Sequence, residues 1–91
     1  MNAVVSRLFF LSFADGTRPS ENQFLGAAFV YAASQIDAVR EAHRLGCNPG
    51  GEVLMADVAA GVDVPPRLVG RLLSREEVEE WDAHETARRR N

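Results

Sequence analysis

Cysteine is almost absent from this chain: Cys47 stands alone among 91 residues. One thiol excludes an internal disulfide and a cysteine-rich zinc site, and it suits a reducing compartment. Lysine is missing altogether. All ten basic residues are arginine, set against 13 acidic ones, for a net charge of −3. This mild acidity argues against phosphate-driven nucleic-acid binding, which needs a clustered cationic surface. Long apolar runs are missing too. The longest, Phe24 to Ala33, is interrupted by Gly26 and falls well short of the ~18 residues a membrane span requires. The first seven residues hold no basic block leading into an apolar stretch, so no signal peptide is expected. Together these absences lead us to expect a cytoplasmic protein with no nucleic-acid partner, no membrane partner, no metal and no cofactor.

What is present describes a globular domain. The chain is 46% hydrophobic and 25% charged, a balance that disordered segments do not show. Its length suits one domain, expected over residues 1–87, with residues 88–91 as a frayed basic tail. Residues 7–13 read as an aromatic-rich strand. Phe9, Leu11 and Phe13 fall on one face, and Leu8 and Phe10 on the other, so both faces call for cover. A polar loop, 15–23, follows. Residues 24–32 read as a second strand in which Gly26 marks a bulge or a close approach.

Ser34 is placed to cap a helix, with Asp37 as a short-armed capping-box partner and Gly46 as a left-handed terminator. Ile36, Val39, Ala42 and His43 share one face of that helix at the spacing expected of a buried stripe. A third strand is expected over residues 52–58. Residues 67–73 read as a short helical turn or an edge strand. Ser74-Arg75-Glu76-Glu77 is a full capping box, flanked by Leu73 and Val78 as a hydrophobic staple. It predicts a second helix from 75 to about 85 that buries Val78 and Trp81 and carries an acidic, solvated face.

The resulting order, β-β-α-β-α, implies an α+β fold. A three-stranded mixed sheet of order 2-1-3, a split β-α-β, accommodates it. One helix covers only one face of such a sheet. The other face must meet helix 2, a ligand or a second copy of the chain, and on that ground a homodimer is expected.

The most distinctive stretch is Cys47-Asn48-Pro49-Gly50-Gly51-Glu52. Consecutive glycines free the backbone so that successive amides can form an anion-binding nest. The same residues also suit a plain helix-to-strand turn, and the preceding helix C-terminus repels anions. Asn48, Gly50, Gly51 and Glu52 are the candidate ligand contacts. Arg18, Arg67 and Arg71, all in expected loops, are the candidate charge partners, because the guanidinium fork matches phosphate and carboxylate. His43 and Cys47 would form a nucleophile pair only if the fold brought them together.

The stretch from Phe24 through Leu45-Gly46-Cys47-Asn48-Pro49-Gly50-Gly51-Glu52-Val53, followed by Leu72-Leu73-Ser74-Arg75-Glu76-Glu77, resembles a group of short bacterial and phage-encoded proteins. They share a Leu-Gly-x-Asn-Pro-Gly-Gly-Glu-Val turn. The resemblance covers roughly two-thirds of the chain and carries over no catalytic residue. It implies that the glycine-rich turn is a shared feature. By analogy with other small phage proteins, it also implies a role in binding, including sequestration of nucleotide signals of host immunity. The reading from sequence is therefore a non-enzymatic binder of an anionic or nucleotide-like small molecule, with a homo-oligomeric protein-interaction module as the alternative.

Overall fold

A computed structural model describes residues 6–89; the first five residues and the last two lie outside it, so part of the expected tail is not described. The elements are β1 (Arg7–Ala14), β2 (Phe24–Ala32), α1 (Gln35–Arg44), β3 (Glu52–Asp57) and α2 (Arg75–Arg89), with short 3-10 turns at Ser20–Asn22 and Pro66–Leu68. This is a small α+β fold. The sheet order is β2-β1-β3. β1 runs antiparallel to both neighbours, so β2 and β3 point the same way with β1 between them. The expectation of a mixed sheet is corrected on this point. A strand inserted between two parallel strands, and opposed to both, makes every hydrogen-bonded pair antiparallel.

The doubly apolar β1 is central and covered on both faces. On one face Phe9, Leu11 and Phe13 pack with Ala28, Val30, Ala38, Ala42 and Cys47 beneath α1. Each of the three large β1 side chains is at most 1% exposed, which contributes about 1.5–3 kcal/mol apiece. On the other face Phe29, Leu68 and Leu73 pack with Leu8, Phe10, Val78 and Trp81. This second core is closed by α2 and by the connection running from β3 to α2. The ground on which a dimer was expected, an uncovered sheet face, is therefore removed. The chain covers that face itself.

The helices differ from expectation in detail. Ser34 accepts from the Asp37 amide at 3.2 Å. The Cys47 amide returns to the Ala42 carbonyl at 2.9 Å, which closes α1 as a Schellman turn. α1 buries Ala38 and Ala42, while Ile36 is 68% exposed and His43 is also exposed. Two alanines one turn apart let the helix sit close on the sheet, and this rotates Ile36 outward. α2 continues through Arg89, past the expected end at 85 and into the residues expected to fray. Arg88 holds this last turn. Its guanidinium donates to the Gly61 carbonyl at 2.5 Å and pairs with Glu85 at 2.7 Å.

Residues 66–73 combine both readings made of them. A 3-10 turn at Pro66–Leu68 leads into bridges from Val69 to Phe29 and from Leu73 to Ala27. Gly70 N–H to Phe29 C=O (2.8 Å) and Leu73 N–H to Ala27 C=O (2.7 Å) tie the segment along the outer edge of β2. Gly26 makes this possible. A Cβ there would lie 2.6 Å from the Leu72 side chain, and the register shifts beside it, so Gly26 serves both a close approach and a bulge.

Candidate functional site

The glycine-rich turn is built as a structural corner. Asn48 Oδ1 accepts from the Gly50 amide at 2.9 Å, which takes one amide an anion nest would need. Gly51 has φ +76°, and a Cβ on it would stand 2.4 Å from the Ala14 carbonyl oxygen. Only glycine lets the chain turn this tightly against the end of β1. Glu52 then opens β3 opposite Ala14.

The three arginines are dispersed. Arg18 pairs with Asp15 at 3.3 Å within the β1–β2 loop. The same carboxylate accepts from the Thr17 amide at 3.0 Å and hydroxyl at 2.6 Å, and these hydrogen bonds hold Asp15 below its usual acidity range. Arg71 donates to the Arg67 carbonyl at 2.9 Å and pairs with Glu77. Glu77 also accepts from the Ser74 amide, the return half of the capping box. Arg71 foremost, then the Ser74 amide, lowers the Glu77 carboxyl to about 2. Arg67 alone of the three has no hydrogen-bond or ion-pair partner for its side chain among the described residues. The seven candidate positions thus fall into separate places: the turn at the start of β3, Arg18 in its own loop, and Arg67 and Arg71 before α2.

Cys47 is 1% exposed beneath α1, and burial pushes its thiol up. A buried thiol of raised pKa is a poor nucleophile. No group of three or more His, Cys, Asp or Glu side chains is placed to hold a metal among the described residues. No buried side-chain polar atom there lacks a partner.

Two concavities stand out among the described residues. A broad depression of about 600 Å³ lies between the β1–β2 loop and the start of α2, lined by Arg18, Phe24, Ser74 and Arg75 among others. Its cations are engaged, Arg18 by Asp15 and Arg75 by the Phe24 ring 5.1 Å from it, and the capping box takes the Glu77 amide in the first turn of α2. The second is a groove of about 480 Å³ between α2 and the connection, lined by Asp63, Pro65, Arg67, Leu68, Glu77, Glu80, Trp81, His84, Glu85, Ala87 and Arg88.

The walls of this groove are pinned in place. Trp81 Nε1 donates to the Asp63 carbonyl at 2.9 Å. Its ring meets Phe29 edge-on at 4.9 Å and lies nearly parallel to Phe10 at 6.4 Å. Glu85, 6% exposed, accepts from Arg88 at 2.7 and 3.1 Å and from the Asp63 amide at 3.4 Å. Arg88 foremost, with the Asp63 amide, holds its carboxyl below the usual range. The groove therefore sets an apolar floor, Trp81 and Leu68, beside one uncommitted cation, Arg67.

Sequence reading identified Arg67 and Trp81 but did not place them together. It assigned Glu85 to the solvated face. Val78, Trp81 and Glu85 are spaced three and four apart, one continuous helical stripe, and that spacing was the available sign that Glu85 turns inward. No family model matches this chain, and no curated protein or solved structure matches it.

Proposed function

We propose that this chain is a non-enzymatic binding protein that holds a small amphipathic monoanion in the groove beneath α2. The observation that carries this reading is the juxtaposition of an uncommitted guanidinium, Arg67, with the Trp81 and Leu68 floor of a 480 Å³ groove. Apolar lining with a few oriented polar groups is the usual make-up of a small-molecule site. The lining also narrows the ligand. Glu85 and Arg88 are spent on one another and Glu77 on Arg71, which leaves Asp63 and Glu80 beside Arg67 in the lining. A nucleoside triphosphate would bring several negative charges into this acidic surround, at a Coulombic cost that a single free arginine does not offset. A monoanion with an apolar body suits it better. Withholding a signalling molecule, the role the resemblance to phage-encoded proteins implies, is one use of such a site, and the cytoplasm is the compartment this reading assumes.

Trp81 is the sole tryptophan, so its fluorescence reports directly on the groove. Titration with phenylacetate should quench or shift that emission, and ATP should do so more weakly. Arg67→Ala should weaken phenylacetate binding about tenfold or more, the equivalent of roughly 1.5 kcal/mol for one charged hydrogen bond. Arg71→Ala, which frees the Glu77 carboxylate at the groove wall, should weaken binding less than Arg67→Ala does. Unchanged emission with both probes at about millimolar concentration, where even weak sites fill, would remove the reading. The alternative, a homo-oligomeric interaction module, is favoured by a different observation: among the described residues nothing pairs with the outer edge of β3.

A further inference from the structure

The two edges of the sheet are treated differently. Residues 69–73 run along the outer edge of β2. Nothing pairs with the outer edge of β3 among the described residues. Bare edges invite another strand unless they are blunted by proline, lysine, a bulge or a covering element. β3, Glu-Val-Leu-Met-Ala-Asp, has neither proline nor lysine and carries acids only at its ends. At its middle stands Leu54, 76% exposed, the most exposed large apolar side chain described.

Which backbone groups face outward follows from the register. Val58 N–H donates to Leu8 C=O at 2.9 Å. Hydrogen-bonded pairs alternate along an antiparallel ladder, so with Phe10 opposite Ala56 and Ser12 opposite Leu54, positions 52, 54 and 56 turn their amides and carbonyls toward β1. Val53, Met55 and Asp57 turn theirs outward.

We propose that two copies of this chain pair β3 against β3, antiparallel, about a two-fold axis at Met55. This register joins outward groups only to outward groups. Met55 meets Met55 of the other copy, and Val53 meets Asp57, so all three outward residues of each copy are used in about six inter-chain hydrogen bonds. It also sets Leu54 against Ala56 of the other copy and Glu52 against Val58, so no two carboxylates stand directly opposite. A shift of one residue in either direction would face inward-bonded groups with outward ones, and in one of the two directions it would also set Glu52 against Asp57. Among the registers of matched hydrogen-bond phase, this one alone pairs all three outward residues of β3 within β3, and in it the two sheets become one and Leu54 is partnered.

Sedimentation velocity and amide exchange test this together. Over a range up to about 200 µM, where pairing with a Kd of tens of micromolar is populated, the mass should rise toward twice that of one chain. The amides of Val53, Met55 and Asp57 should gain protection with concentration, while those of Leu54 and Ala56, already bonded to β1, should not change. Leu54→Arg should weaken self-association at least tenfold. A chain that stays monomeric with fast exchange at all three outward amides overturns the proposal and leaves the edge to a foreign strand. A dimer in which those amides stay fast, or that withstands Leu54→Arg, pairs by another surface and overturns it equally.

Discussion

At Gly51 the backbone passes so close to Ala14 that a methyl group would sit 2.4 Å from a carbonyl oxygen, and φ is +76°. Gly51→Ala should therefore destabilise the fold by about 1–3 kcal/mol, the cost of a strained backbone conformation. Urea unfolding measures this. Phenylacetate binding by the folded fraction should be unaffected, because the turn does not line the groove. Trp81 makes a second argument at this scale. Trp81→Phe keeps the aromatic contact with Phe29 but leaves the Asp63 carbonyl without the indole donor. Losing a partner to a carbonyl near the surface should cost about 1–2 kcal/mol, visible as a lower urea midpoint with an unchanged slope.

The two helices open with similar motifs and differ in how well they close them. In α2 the box is reciprocal: the Glu77 amide donates to Ser74 Oγ at 3.2 Å, and the Ser74 amide donates to Glu77 at 3.1 Å. In α1 only the Ser34 half is made. Asp37 is one methylene shorter than glutamate and instead lies 3.9 Å from Arg40. Ser74→Ala and Ser34→Ala should each cost about 0.5–2 kcal/mol. Glu77→Ala, which removes the acceptor of the Ser74 amide and the partner of Arg71, should cost more than Asp37→Ala, which removes no such bond. Paired thermal melts rank these last two. Equal losses from Glu77→Ala and Asp37→Ala would show that the bond from the Ser74 amide to Glu77 adds nothing.

Across the whole molecule, carboxylates set the response to acid. Asp15, Glu41, Glu77 and Glu85 all have lowered pKa values, held by Thr17, Arg44, Arg71 and Arg88 respectively as the leading partners. A carboxyl whose pKa is lower folded than unfolded contributes stability fully above the unfolded value, and that contribution is lost as pH falls through the folded one. For Glu77 the interval runs from its ordinary 4.5 down to about 2. The melting temperature should be flat near neutrality and fall progressively across that interval. Glu85→Gln should melt lower than wild type at neutral pH and show a shallower acid decline. A wild-type curve that stays level to pH 2.5 would contradict the assignment of these pairs.

Local signals were legible in the sequence where the physics is local. Ser34 and Ser74 announce helix starts because capping depends on residues three apart, Gly46 announces a stop, and the alternation in Phe9-Phe10-Leu11 announces a strand apolar on both faces. The 2-1-3 arrangement follows from those elements, since a doubly apolar strand needs the centre. What the sequence could not convey depends on residues far apart in the chain. Glu85 reads as one acid among six until the Asp63 amide and Arg88 surround it. Arg67 and Arg71 look alike until Glu77 claims one and leaves the other facing Trp81. Gly51 reads as a corner or as part of an anion nest until Ala14 lies against it. Periodicity reports which face of an element is buried, but only packing decides which partner stands opposite, and here that choice makes the glycine turn a corner and sets Arg67 beside Trp81 in the groove.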